Sequence, residues 1–185
     1  RGGFEGLAAR MQDPDWVPDF GPVKPHPRAG ATVVGMRDYI AAFNLTINTR
    51  SESIARQIAR KVREKDGGLP HVQAIGLFLP EMGFAQVSLN VTNLREVPLH
   101  TAFEAVDEAA RTLGVRITGT EIVGILPEWA LVEAGKYFSE KAGEPTHSLS
   151  SGDLVSLAIR SLLLEGFHPE ERLSERVFGP EEGLP

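Results

Sequence analysis

Hydrophobic positions along the chain switch between two periods. Residues 39–47 are apolar and β-rich, as a buried strand is. Thr49 or Ser51 can cap the helix that follows. In that helix Ile54, Ile58 and Val62 recur on one face, and Gly67-Gly68 ends it. Residues 72–79 read as a second strand and 80–83 as a turn. Residues 84–91 read as a third strand, with Val87, Leu89 and Val91 alternating against Gln86, Ser88 and Asn90. Pro98 suits the first position of a second helix that turns Phe103, Val106, Ala110 and Leu113 inward and closes at Gly114. Residues 115–122 are the fourth strand. This order predicts an α+β fold: a ferredoxin-like βαββαβ sheet with both helices on one face, followed by C-terminal helices. Those helices are expected over 127–141, begun by Pro127, and from Ser150 or Ser151 to Gly166, with Leu154, Ala158 and Leu162 on one face. Residues 178–185 have the composition of a frayed tail.

Ahead of this unit the pattern breaks down. Pro14, Pro18, Pro22, Pro25 and Pro27, with Gly21 and Gly30 among them, exclude a long helix or a central strand beyond Gln12. Residues 5–12 can form a short helix. Trp16 and Phe20 predict a loop pinned to a surface rather than a free linker. The expected organisation is a linker and binding segment over 1–39, the α+β unit over 40–126 and a helical extension over 127–185.

Composition narrows the function. With 42% hydrophobic residues in 185, the chain can build a core. Cysteine is absent, which removes disulfides, thiolate metal sites and cysteine nucleophiles, and makes a reducing, cytoplasmic setting the expectation. The net charge of −6 argues against nucleic acid as a partner. No apolar run approaches the roughly 18 residues of a membrane helix, so no membrane is expected. No phosphate loop, nucleophile elbow or dinucleotide fingerprint is present. His26, His71, His100, His147 and His168 are scattered without metal-ligand spacing, so no metal is expected.

Two places remain where polar chemistry gathers. In the third strand Gln86, Ser88 and Asn90 share a face. Thr118, Thr120 and Glu121 fall late in the fourth strand, and Asn44 and Thr46 interrupt the apolar first strand. Such a face is either solvated or a wall of amides and hydroxyls suited to a neutral heteroaromatic ring. The other place is Lys24-Pro25-His26-Pro27-Arg28-Ala29-Gly30, with three basic side chains on a stiff backbone. It reads either as an exposed basic loop or as a contact for a carboxylate-bearing ligand.

The same residues carry a resemblance. Trp16-Val17-Pro18-Asp19-Phe20-Gly21-Pro22, Gly30-Ala31-Thr32-Val33-Val34-Gly35-Met36-Arg37 and Ile40-Ala41-Ala42-Phe43-Asn44 resemble the middle of the glutamate formiminotransferase (formimidoyltransferase) domain of formiminotransferase-cyclodeaminase. The likeness continues through Val72-Gln73-Ala74-Ile75-Gly76, Ala85-Gln86-Val87-Ser88-Leu89-Asn90, Leu99-His100-Thr101 and Gly119-Thr120-Glu121-Ile122-Val123-Gly124-Ile125-Leu126-Pro127, over about residues 1–175.

The resemblance implies two α/β subdomains with a folate tunnel between them. It places the folate-binding stretch at Gly21, Pro22, Val23, Lys24, Pro25, His26, Pro27, Arg28, Ala29 and Gly30, and the second subdomain from near Ile40. It implies transfer of a formimino group from N-formimino-L-glutamate to N5 of tetrahydrofolate, in histidine degradation and one-carbon metabolism. Tetrahydrofolate is the co-substrate. That chemistry needs a general acid/base and alignment of two substrates. The first subdomain, with its catalytic histidine, finds no counterpart in this reading. His26 is therefore not given that role, and no catalytic residue is assigned. The chain is expected to supply the folate-binding half, with the N-terminal subdomain as a missing partner and a homo-oligomer as its assembly. Asn44, Gln86, Ser88, Asn90 and Glu121 are expected along the ligand wall. The alternative is a non-catalytic folate-binding or dimerisation module.

Overall fold

The computed structural model describes residues 4–36 and 38–179. The chain divides into two compact units, residues 1–37 and residues 38–185.

The larger unit is α+β. Its elements are β1 (Ala41–Ile47), α2 (Glu52–Val62), β2 (Val72–Leu79), β3 (Phe84–Val91), α3 (Leu99–Thr112), β4 (Ile117–Val123), α4 (Glu128–Lys141), α5 (Ser151–Ser161), α6 (Pro169–Arg172) and α7 (Ser174–Phe178), numbered after α1 (Leu7–Arg10) of the smaller unit. The four strands form one sheet in the order β2-β3-β1-β4, with every neighbouring pair antiparallel. Period-two burial follows the sequence. Phe43, Leu45, Val87 and Leu89 are fully buried, while Ala42, Asn44 and Thr46 face the other way. Ile58 and Val62 of α2 and Leu99 and Val106 of α3 join the inward strand residues in one apolar core. Gly76 lets α2 lie directly on β2: a Cβ there would fall 2.1 Å from the Ala55 carbonyl carbon.

Several boundaries differ from the sequence reading. The first strand begins at Ala41 rather than residue 39, and the fourth runs Ile117–Val123 rather than 115–122. Pro98 and Pro127 stand one residue ahead of their helices, as N-cap residues whose own ψ of 158° and 138° is extended. The helix expected to reach Gly166 stops at Ser161. Leu163 takes a left-handed φ of 56° there, and the chain turns along the rim of β4. Thr120 N donates to Leu163 O at 2.8 Å and Glu165 N donates to Thr120 O at 3.1 Å. Two short helices, α6 and α7, continue the helical extension beyond the last helix that the pattern placed. Leu126 N donates to Arg172 O and Ser174 N returns a bond to Leu126 O, at 2.9 and 3.0 Å, with Leu126 and Leu173 both fully buried. On the opposite rim the Arg63 guanidinium donates to the Ala74 carbonyl at 3.3 Å. The frayed tail expected over 178–185 lies largely outside the described residues.

In the smaller unit the short helix is a single turn, α1, followed by a 3₁₀ turn over Pro14–Trp16 that the Asp13 carboxylate caps. Trp16 is half exposed beneath the Arg10 guanidinium, 4.7 Å from its ring centre. Phe20 is 94% exposed, so it does not pin this loop by burial as expected. Among the described residues, no helix is long and apolar enough to cross a membrane.

Candidate functional site

The proline-rich stretch folds back on itself. His26 N donates to Gly30 O at 2.8 Å and Gly30 N donates to His26 O at 2.9 Å, which closes a five-residue loop. Gly30 is required at that closure. Its φ is +72°, and a side chain there would meet the Phe4 ring at 3.3 Å. The His26 ring turns inward over the loop: its Nδ1 accepts from the backbone N–H of Arg28 at 3.2 Å and of Ala29 at 3.1 Å. Beside the loop lies a cavity of about 410 Å³, within the range of about 300–1,000 Å³ usual for small-molecule sites. Of the ten residues singled out from sequence, Pro22, Lys24, Pro25, His26, Pro27 and Gly30 line it. Gly21, Val23, Arg28 and Ala29 do not: their side chains or backbones stand outside its wall. Met11 and Phe20 also form part of the wall, and these were not picked out as ligand contacts. The exposed Phe20 ring is legible afterwards as an aromatic set between two prolines. Pro18, Ala31 and Thr32 line the cavity too, and a mostly apolar wall with Lys24, His26 and Thr32 as polar groups can hold a heteroaromatic ring and an acidic group.

The five strand residues do share one face. Ile75 of β2 stands opposite Ser88, Ser88 opposite Asn44 and Asn44 opposite Glu121, one row across the whole sheet. Asn44 Nδ2 donates to Glu121 Oε2 at 3.4 Å. Gln86 pairs with Thr46 and Asn90 with Ala42 in the flanking rows. Thr120 does not belong to this face. The pairing of β1 with β4 shifts between Thr46 and Ile47, which puts Thr120 opposite Leu45 on the core side. There its hydroxyl donates to Leu162 O at 2.6 Å and is buried. Thr118 remains exposed at the irregularity, its hydroxyl on Thr46 O at 3.4 Å.

One polar cluster had no signal in the sequence beyond its separate residues. His100, 9% exposed, stacks on Tyr137 with ring centres 4.1 Å apart. Tyr137 donates to Glu104 Oε2 at 2.6 Å, and Lys141 pairs with the other oxygen of Glu104. His100 Nδ1 is buried without a hydrogen-bond partner. Burial pulls the His100 ring below its ordinary range, with nearby Glu104 acting the other way. Burial pushes the Glu104 carboxyl up, but the bonds from Lys141 and Tyr137 outweigh it and hold the group below the usual carboxylate range. The bond to Glu104 in turn pushes the Tyr137 hydroxyl up. The cluster ties α3 to α4. Among the described residues, no group of three or more His, Asp or Glu side chains could hold a metal ion.

With this geometry in view, the comparisons with known proteins fall into place. The family model described as the formiminotransferase domain matches residues 42–178, and that of the domain's N-terminal subdomain matches residues 1–37. The chain belongs to the formiminotransferase family. It is 38% identical over 138 residues to a glutamate formimidoyltransferase of Streptococcus pyogenes serotype M1, covering 75% of this chain and 46% of that one. It is 39% identical over 140 residues to a glutamate formimidoyltransferase of Thermoplasma acidophilum, covering 76% and 46%. A formimidoyltransferase-cyclodeaminase of Sus scrofa is 36% identical over 194 residues, covering 99% of this chain and 36% of its own length. The chain thus spans less than half the length of these relatives. One expectation is overturned. The N-terminal subdomain is not missing altogether: residues 1–37 match its own model, and the match ends where the smaller compact unit ends. The reading by order along the chain failed because this stretch lacks the periodic elements that mark a subdomain.

Proposed function

We propose that this chain takes part in glutamate formimidoyl transfer, moving a formimino group from N-formimino-L-glutamate to tetrahydrofolate in the one-carbon chemistry of histidine breakdown. The observation that carries the reading is the cavity lined by Pro22, Lys24, Pro25, His26, Pro27 and Gly30, six of the ten residues that the family resemblance marks for folate. The cavity wall suits a reduced folate. Proline and phenylalanine faces take the ring, and Lys24 supplies the positive charge that a glutamyl carboxylate needs. Arg28 is exposed outside the wall and serves the loop through its backbone N–H. The polar row through Ser88, Asn44 and Glu121, with Gln86 and Asn90 beside it, is read by itself as a surface of donors and acceptors suited to one of the two substrates. The larger unit is read as the ferredoxin-like subdomain, which the strand order β2-β3-β1-β4 and the antiparallel pairing support.

In the reaction, N5 attacks the amidine carbon, and the tetrahedral adduct collapses as the departing glutamate nitrogen gains a proton. The residues named here align and hold the reactants. That contribution is one of proximity rather than proton transfer.

Calorimetric titration of the chain with folinate tests this. Saturable binding is expected, weakened about fivefold in Lys24→Ala, the loss of one charge-assisted contact. No binding overturns the folate reading. Binding without transfer from N-formimino-L-glutamate favours the non-catalytic folate-binding module instead.

A further inference from the structure

We infer that the loop at residues 26–30 exists to hold the His26 ring with Nδ1 turned onto the loop's own N–H groups, so that Nε2 carries the ring hydrogen and the cavity meets its ligand through one fixed N–H donor. The ligand part of this inference rests on the folate reading above.

The backbone sets the ring. Pro27 fixes one φ, Gly30 supplies a positive one, and the paired bonds between His26 and Gly30 close the loop. Inside it the N–H groups of Arg28 and Ala29 converge on His26 Nδ1 at 3.2 and 3.1 Å. Both are donors, so Nδ1 must offer a lone pair. A proton on Nδ1 would oppose two N–H groups and open the loop, so the closed loop selects the ring with Nδ1 bare. A ring bare at Nδ1 carries its hydrogen on Nε2, and His26 is one of the residues that line the cavity.

The result is a donor of defined position beside Lys24, the charged side chain that shares the wall. The Arg28 side chain, the other cation of the loop, stays outside it. Two N–H donors favour an oxygen acceptor, such as a ring carbonyl or a carboxylate, and the Thr32 hydroxyl on the same wall can donate or accept beside them. A reduced folate offers both kinds of oxygen.

Long-range ¹H–¹⁵N correlation on the ¹⁵N-labelled chain reads the tautomer without any ligand. A pyridine-type Nδ1 and a pyrrole-type Nε2 are expected for His26. A protonated Nδ1, or an even mixture of tautomers, overturns the inference. Saturating folinate should then move the His26 Nε2–H resonance. Binding that leaves it unmoved overturns the donor role. His26→Asn places an amide oxygen near the position of Nδ1, so it keeps the loop closed, and amide exchange at Arg28 and Ala29 reports this. It removes the donor, and folinate affinity should fall about five- to tenfold. A closed Asn variant that binds as tightly as the native chain also overturns the donor role; if the variant opens, the resonance shift in the native chain decides. If the native chain does not bind folinate at all, the folate reading fails, and the tautomer measurement alone decides the loop's role.

Discussion

Single residues show where the larger unit is sensitive. The Thr120 hydroxyl is buried and has one partner, the Leu162 carbonyl. Thr120→Val keeps the shape and leaves that carbonyl unpaired, so a loss of about 1–3 kcal/mol in urea unfolding is expected. His100 gives the chain a pH response. Burial lowers it from 6.5, so the unfolded chain accepts a proton more readily than the folded one. Its stabilising effect is complete above pH 6.5 and is lost as pH falls through the lower folded value. Glu104, whose carboxyl ordinarily titrates near 4.5, is held lower still and contributes its loss only at more acid pH. His100→Phe keeps the stack on Tyr137 and should flatten the fall of the urea midpoint just below pH 6.5. An unchanged slope would assign that response elsewhere. Neither residue was legible for what it does. Thr120 looked like part of a polar face because it is grouped with its polar neighbours Thr118 and Glu121, whereas the strand turns Thr120 inward and Glu121 outward. His100 and Tyr137 lie 37 positions apart on different helices, and no local period links them.

At the level of elements, alternation and helical spacing were legible because each reflects one apolar core. Val87, Leu89 and Val91 are buried and Gln86, Ser88 and Asn90 are turned away, as the pattern required. Ile58 and Val62 lie in the core with Ala55 and Ala59, and Ile54 packs at its margin. What could not be read is how elements touch. Gly76 is an ordinary glycine in sequence but the contact point of β2 with α2, where a methyl would strike backbone. Gly76→Ala is expected to cost about 3 kcal/mol, at the upper end of overpacking, or to prevent folding. At the start of α4 the Glu175 carboxylate accepts from Glu128 N at 2.8 Å, so one short helix caps another. Glu175→Ala should cost about 1 kcal/mol in the same measurement. Of the candidate site, the stretch was legible from its prolines and glycines. The inward turn of the His26 ring was not, because it depends on loop closure.

Across the whole molecule, the last described segments belong to the core despite their distance from it in sequence. Leu173 is fully buried between bonds that join its neighbours to Leu126. Leu173→Ala should therefore destabilise the larger unit by about 2–5 kcal/mol, read as a lower midpoint in thermal unfolding. A frayed tail would give no change. The family likeness spans both compact units, yet each holds itself together with its own contacts.

The two outer strands have a consequence for crowded solutions. Thr120 is bonded in the middle of one flank by the returning chain, and the Ala74 carbonyl on the other is occupied by the Arg63 side chain. Another molecule approaching either flank meets one position already engaged, which interrupts the ladder it would need to extend the sheet. The protein carries built-in stops against growing end on end into fibrils.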